Sequence, residues 1–95
     1  MLKITETSED EDTVTLKLDG KMVGSSVSDL EELCLRHRNE KGKTVVLDFS
    51  GVTFIDNKGL TMLKKIKDNR VIMANYSLFI ETLLDVNKLI SSNRE

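Results

Sequence analysis

Proline is absent from this chain, cysteine occurs once, and aromatic residues number only four. Without proline, repeats or a low-complexity tract, nothing indicates a linker between domains. The single cysteine, Cys34, cannot form an internal disulfide, so we expect a reducing, cytoplasmic location. No apolar run approaches the ~20 residues that a membrane span needs. The polar and acidic residues 1–10 also lack the apolar segment of a signal peptide, so we expect no direct membrane insertion.

The charge pattern argues against a nucleic-acid partner. The formal net charge is −2, with net −4 in residues 1–19 and net +3 in residues 57–95. Neither end is basic enough for contacts with phosphates to dominate binding. No aromatic residue interleaves with a cluster of lysines and arginines, as a base-stacking surface requires. Nucleic acid is therefore not an expected partner.

The residue patterns predict one α/β domain over residues 1–95. Alternating apolar and polar residues predict an antiparallel hairpin within residues 1–19. Apolar runs at 44–49 and 71–74 predict two further strands, the first covered on both faces. The predicted order is β-β-α-β-α-β-α, a four-stranded mixed sheet with three helices and right-handed crossovers. Residues 91–95 are predicted to fray.

Capping residues mark the predicted helix ends. The candidate N-caps are Ser25, Ser26 and Ser28 for the first helix, Asn57 for the second and Ser77 for the third. Gly42 is predicted to end the first helix and Asp68-Asn69 the second, since Asn69 tolerates the left-handed conformation. The third helix is predicted to bury a stripe made of Phe79, Ile80, Leu83, Val86 and Ile90.

Residues 45–60, VVLDFSGVTFIDNKGL, form the most informative segment. An apolar strand here runs into the first turn of the second helix, which places polar side chains at the C-terminal edge of the sheet. Functional sites in open α/β sheets often lie at that edge. The helix start also carries unpaired N–H groups and a partial positive charge. We interpret Asp56–Gly59 as a recognition surface, and a simple helix cap is the plainer alternative.

This segment resembles the signature of STAS domains, the anti-sigma factor antagonist family. That signature is an apolar strand ending in Asp-hydrophobic-Ser, a hydrophobic link, and Asp-Ser-x-Gly-Leu at a helix start. The similarity extends from about Val14 to about Val86 and includes the loop at residues 18–24. It implies a STAS-like fold and a non-catalytic, protein-binding role in bacterial transcription regulation.

The resemblance also implies a switch residue. In the family, the serine after the second Asp is phosphorylated by a partner kinase that is also an anti-sigma factor, and the added charge disrupts binding. Asn57 occupies that position here and cannot be phosphorylated. Asp56, Gly59 and Leu60 match the family pattern, and Lys58 takes its variable position.

The resemblance places the partner-binding surface at the strand-to-helix corner. Its expected residues are Asp56, Asn57, Lys58, Gly59, Thr61, Met22 and Gly24. The expected partner is an anti-sigma factor of the kinase-like type. The alternative is a subunit of a lipid-transport ABC ATPase, because small STAS domains also serve in such assemblies. Thr53 and Thr61 are alternative phospho-acceptors, and a homodimer through an exposed sheet edge stays open.

The second helix is basic. Its region contains Lys58, Lys64, Lys65, Lys67 and Arg70. These side chains form either a solvated outer face or a docking surface for an acidic partner, whose association complementary charge would accelerate.

Enzymatic and metal-binding interpretations have little support. Asp48 and Asp56 have no His or nucleophile near them in the motif, and Asp48 is expected to brace the loop through backbone N–H groups. Cys34 and His37 lie three residues apart, but two ligands do not make a zinc site. We expect Cys34 to pack in the core and His37 to lie near the helix end. The chain also lacks a Gly-rich phosphate loop, so we predict no catalytic activity, cofactor or metal.

Overall fold

The computed structural model describes residues 2–90, and the tail predicted to fray, 91–95, lies outside the described residues. Its elements are β1 (Leu2–Glu9), β2 (Thr13–Met22), α1 (Ser25–Leu35), β3 (Thr44–Ile55), α2 (Asn57–Ile66), β4 (Val71–Ala74) and α3 (Leu78–Val86). A π-helical turn, Arg36–Glu40, extends α1. The predicted order β-β-α-β-α-β-α is confirmed for the described residues.

The strands form one mixed sheet in the order β1-β2-β3-β4. β1 and β2 form the predicted antiparallel hairpin, whereas β3 pairs in parallel with both β2 and β4. β2 continues past the predicted break at Asp19 because Gly20, with φ of 107°, lies where the pairing with β3 shifts register. β3 likewise continues to Ile55, which lies opposite Met22. The two strands therefore end side by side, and the loops that follow them are neighbours.

The sheet buries one face. In β3, Val45, Leu47 and Phe49 are fully buried, while the intervening Val46 and Asp48 are half-buried. The prediction that this strand is covered on both faces is wrong, because successive side chains alternate and only one set reaches the core. Apolar side chains from the helices join the same core cluster, among them Leu30, Leu63, Ile80 and Leu84. Right-handed crossovers place α1 and α2 together on that buried face.

Two helix starts differ from the sequence prediction. Gly24, and not a serine, is the N-cap of α1, with φ of 59° and ψ of −135°. L-residues rarely adopt this backbone conformation, so the turn favours glycine and Ser25 is already helical. Asp56, and not Asn57, caps α2, because Asp56 still has the extended backbone of β3 and its carboxylate reaches back over the first helical turn.

The helix ends also depend on residues that the sequence pattern did not single out. α2 ends because Lys67 adopts an extended conformation, one residue before the predicted stop at Asp68-Asn69. Gly42, with φ of 65°, follows the π-helical turn and stops the helix there, as predicted. Asn75 and Lys88 are left-handed and lie before and after α3.

α3 buries a narrower face than predicted. Its cap is confirmed, since the Ser77 hydroxyl accepts a hydrogen bond from the backbone N–H of Ile80 at 3.2 Å. Ile80 and Leu84 are fully buried, whereas Phe79 and Val86 are 55% and 71% exposed. The predicted stripe is therefore wrong for Phe79 and Val86, because the residues four apart at Ile80 and Leu84 turn toward the core. An apolar face of α3 remains in solvent.

Arg38 ties the end of α1 to the end of α2. Its Nη1 donates to the carbonyl oxygen of Ile66 at 3.0 Å and pairs with the Asp68 carboxylate at 2.7 Å. A cation at the C-terminal carbonyls of a helix is electrostatically favourable. Arg38 therefore joins the C-terminal ends of the two helices, opposite the end at which Asp56 lies.

His37 lies on the inner side of the π-helical turn and is almost fully buried. Its Nδ1 has no hydrogen-bond partner among the described residues. Burial lowers the pKa of His37, the charges of Lys41, Lys43 and Arg36 lower it further, and Glu9 opposes them. The folded protein therefore favours the neutral imidazole.

We predict that the free energy of unfolding decreases as the pH falls from about 7.5 to about 5.5. The pKa of His37 is lowered from 6.5 in the folded state, so over this range the unfolded state binds more protons than the folded state does. Chemical denaturation at several pH values should show the decrease in the wild type and its loss in the His37→Leu variant. An identical pH dependence in both proteins would contradict the prediction.

Candidate functional site

Asp56 joins the two loops that follow the neighbouring strands β2 and β3. Its Oδ1 accepts a hydrogen bond from the backbone N–H of Gly59 at 2.8 Å, which caps α2. Its Oδ2 accepts from the backbone N–H of Gly24 at 3.2 Å, at the start of α1. Its own N–H donates to the carbonyl oxygen of Met22 at 3.1 Å. One half-buried carboxylate therefore fixes the starts of both helices relative to each other.

Met22 and Gly59 support this corner from inside. Met22 is fully buried, and Gly59 is buried in the first turn of α2. A Cβ atom on Gly59 would lie 2.8 Å from Ile55 Cγ2 and 3.1 Å from the Met22 carbonyl oxygen. Met22 and Gly59, which are among the predicted partner contacts, are therefore interior, because the protein's own chain occupies the space around them. Gly59 permits close approach of α2 to the end of β2.

The other predicted site residues are accessible. Asn57, Lys58 and Thr61 are exposed along one side of α2, and Gly24 is exposed at the start of α1. Asn57 is the first residue of α2, so its amide lies at the positive end of the helix dipole. The position that corresponds to the family's switch serine is thus open to a partner.

A groove between α1 and α2 runs beside these exposed residues. Its volume is about 370 Å³, and its lining consists of Val27, Ser28, Glu31, Asn57, Lys58, Thr61, Met62 and Lys65. Val27 and Met62 are buried and supply an apolar floor. The α1 side of this groove is not among the predicted site residues. The spacing in the sequence indicates only the α2 side, because Asn57, Thr61 and Lys65 repeat every four residues on one face of α2.

The rim of the groove is mainly basic. Lys65 pairs with Glu31 across the groove at 2.7 Å, and the Glu31 side chain is 22% exposed. Lys58 and Lys64 are exposed on the same helix. The groove therefore has an apolar floor, the exposed amide of Asn57 and a charged lining of Lys58 and Lys65 against Glu31, which suits recognition of a protein surface.

The remaining polar groups near the motif have structural partners. Asp48 braces the backbone that follows it, as predicted, because its Oδ1 accepts a hydrogen bond from the backbone N–H of Ser50 at 2.9 Å. This hydrogen bond is the main reason that the pKa of Asp48 is lowered. The Thr53 hydroxyl donates to the carbonyl oxygen of Gly20 at 3.3 Å. Asp48 and Asp56 accept hydrogen bonds from different backbone N–H groups, that of Ser50 for Asp48 and those of Gly59 and Gly24 for Asp56.

Cys34 is packed in the core, as predicted, and burial raises its pKa to about 12. A thiol with so high a pKa is a poor nucleophile and a poor metal ligand at neutral pH. Within residues 2–90, no group of three or more His, Cys, Asp and Glu side chains is placed to hold a metal ion. In the same range, no helix combines the length and apolar character needed to cross a bilayer.

The sequence matches the STAS domain family model over residues 5–71, which is more than half of the chain. This chain belongs to the STAS domain family. It therefore belongs to a family of regulatory, non-enzymatic domains, and the resemblance on which the sequence analysis depended is confirmed. A search of curated proteins found no significant match.

Among solved structures, the STAS domain described here is similar to the anti-sigma factor antagonist SpoIIAA in its unphosphorylated form. The TM-score is 0.68 at 15% sequence identity, and the match covers 87% of this chain and 82% of that chain. At this identity the similarity shows a shared fold. The predicted fold class, an α/β STAS-like domain with a mixed four-stranded sheet, is confirmed.

We predict that Gly59→Ala lowers the free energy of unfolding by about 1–3 kcal/mol, because the new methyl group collides with Ile55 and Met22. This loss should appear although alanine has the better helix propensity by about 1 kcal/mol. Urea denaturation measures the change. Thr61→Ala, at an exposed position of the same helix, is the matched control and should change stability by less than about 0.5 kcal/mol. Equal effects of the two substitutions would contradict the close packing at Gly59.

Proposed function

We propose that this STAS domain binds a partner protein through the exposed start of α2 and the adjoining α1–α2 groove. The partner we propose is an anti-sigma factor of the kinase-like type, in a bacterial circuit that controls transcription in the cytoplasm. The observation that supports this proposal is the exposure of Asn57 at the first position of α2, beside a groove with an apolar floor. No step of chemistry is required of the domain.

The contact residues divide into a rigid frame and an exposed rim. Asp56, Met22 and Gly59 form the frame, because their contacts are with the protein itself. Asn57, Lys58 and Thr61 form the rim that a partner would touch. A rim held by a rigid frame loses little conformational entropy when a partner binds, which favours affinity.

The amide at Asn57 makes binding independent of a phosphate at this position. Asparagine is neutral and compact, so it presents the partner with a surface like that of an unmodified serine. A phosphate at the same place would add about −1.5 to −2 charges to the contact surface. We therefore propose that this domain stays competent to bind, and that its activity is set by its amount or by the partner's state.

We predict that Asn57→Asp weakens capture of the main partner from the native host by at least about tenfold, which corresponds to about 1.4 kcal/mol. The added charge must be desolvated at the contact surface, where the wild type has a neutral amide. The variant should remain folded, because an acidic residue in the first turn of a helix is favourable. An affinity pull-down followed by titration of the purified partner measures the loss.

Asn39→Asp is the matched control for this experiment. Asn39 is exposed in the π-helical turn, and its Oδ1 accepts from Arg38 Nε, a bond that aspartate would keep. Capture should be unchanged in this variant. Unchanged capture by Asn57→Asp would place the interface elsewhere. Recovery of a lipid-transport ABC ATPase subunit as the main partner would overturn the sigma-regulation assignment in favour of transport.

We also predict that incubation with ATP and the partner kinase leaves the wild type without phosphate. Asn57 has no hydroxyl, and the hydroxyl of Thr53 is bound to the carbonyl oxygen of Gly20. Intact-mass measurement before and after incubation checks this expectation, and Asn57→Ser provides the control that should gain one phosphate. Phosphate on Thr61 of the wild type would show that the switch lies one helical turn further along α2.

A further inference from the structure

Three charged side chains line the α1–α2 groove, and they are not equally engaged. Lys65 and Glu31 form an ion pair with 2.7 Å between nitrogen and oxygen. Lys58 also lines the groove and is exposed, but its ammonium group forms no ion pair or hydrogen bond within residues 2–90. The lining therefore carries one positive charge for which the described part of the chain supplies no counter-ion.

The other carboxylates of the two helices and their caps do not compensate this charge. Asp56 directs both of its oxygens to backbone N–H groups of the helix starts. On α1, Glu32 pairs with Arg36 at 3.5 Å, and Asp29 is not part of the groove lining. α2 itself contains no acidic residue. A carboxylate that came from another molecule would therefore find an unpaired cation at Lys58.

The uncharged part of the lining combines an apolar floor with polar groups above it. Val27 and Met62 form the floor and are buried. Ser28, Asn57 and Thr61 are exposed, and their side chains make no hydrogen bond to other residues in the range 2–90. The groove volume of about 370 Å³ is near the lower end of the ~300–1,000 Å³ typical of binding pockets. Such a space suits a few side chains of a partner segment.

We propose that the segment of the partner protein that enters this groove is acidic, with a carboxylate beside Lys58 and an apolar side chain on the floor at Val27 and Met62. This inference rests on the proposed function and specifies the chemistry of the partner. Lys58 and Met62 are four residues apart, so they are neighbours on the surface of α2. An acidic and an apolar residue three or four positions apart on a partner helix have the matching separation of about 5–6 Å.

Two other residues of the lining set the strength of this attraction. Asn57 precedes Lys58 and is neutral, so it leaves the lysine charge uncompensated, whereas a negative charge at position 57 would repel an acidic segment. Glu31 is the acidic residue of the lining, and its partner Lys65 lies seven residues beyond Lys58, about 10 Å further along the helix axis. Glu31 therefore opposes an acidic segment from the far end of the groove, at a distance where salt screens it in part.

The first test measures the dissociation constant of the main partner recovered in the pull-down, as a purified protein. Lys58→Gln should weaken binding by about three- to tenfold, because a charge pair at the contact is lost. Lys58→Arg keeps the charge and should bind like the wild type. Lys64→Gln is the matched control, since Lys64 is exposed on the same helix but does not line the groove, and its effect should stay below about twofold. Unchanged or tighter binding by Lys58→Gln would overturn the proposal.

Glu31→Gln should change the affinity in the opposite direction. It removes the acidic residue of the lining and leaves Lys65 without its ion pair, so an acidic segment should bind at least about twofold more tightly. A purely structural role of the ion pair would give no such gain. Circular dichroism and urea denaturation show that the variant remains folded. Weaker or unchanged binding by the folded variant would contradict an acidic partner segment.

Carbodiimide cross-linking of the complex reports the chemical class of the contact directly. The reagent activates a carboxylate, and a neighbouring lysine amine displaces the resulting urea to form an amide. Mass spectrometry should find Lys58 joined to an Asp or Glu of the partner, and Lys58→Arg should lose this cross-link while it keeps its affinity. The Lys65–Glu31 pair supplies an internal positive control. A complex without the Lys58 cross-link, with the control present, would overturn this inference, whereas unchanged capture by Asn57→Asp would overturn the proposed function.

Discussion

The carboxylate of Asp56 is the interaction on which the arrangement of this domain depends. Each of its oxygens accepts a backbone N–H from the start of a different helix, at Gly59 and at Gly24. These N–H groups would otherwise lack partners, because the first turn of a helix has no acceptors of its own. One side chain at the end of β3 thus satisfies two helix starts and fixes them relative to each other.

The sequence was sufficient to predict the order of elements, including the corner between β3 and α2 at which we propose the site. Alternation in β2 and the apolar run in β3 indicated strands, and the Asp-Asn-Lys-Gly corner was identified at the start of α2. The cap was assigned to Asn57 because asparagine and aspartate have nearly equal capping preferences, and only the extended backbone at Asp56 decides between them. The interior positions of Met22 and Gly59 depend on contacts between β2 and α2, which no local pattern encodes.

The shape of the corner depends on its buried and half-buried residues, so the family motif can have asparagine in place of serine and keep that shape. Asp56 and Gly59 make contacts that α2 needs in order to start where it does. Asn57, between them in the chain, makes none of the hydrogen bonds that hold the corner, and its side chain faces solvent. Under the proposed function, substitution at this position would alter recognition with little effect on folding, whereas substitution of its neighbours would alter both.

The bond between Arg38 and the C-terminal carbonyl of α2 has a kinetic consequence. Asp56 holds one end of the α1–α2 pair and Arg38 holds the other, with the Lys65–Glu31 ion pair between them. For the proposed partner, a groove held at both ends would not have to open before binding, so a slow rearrangement would not limit the association rate. Partners would then differ mainly in how slowly they dissociate. The dissociation rate would depend on how well each partner fills the groove.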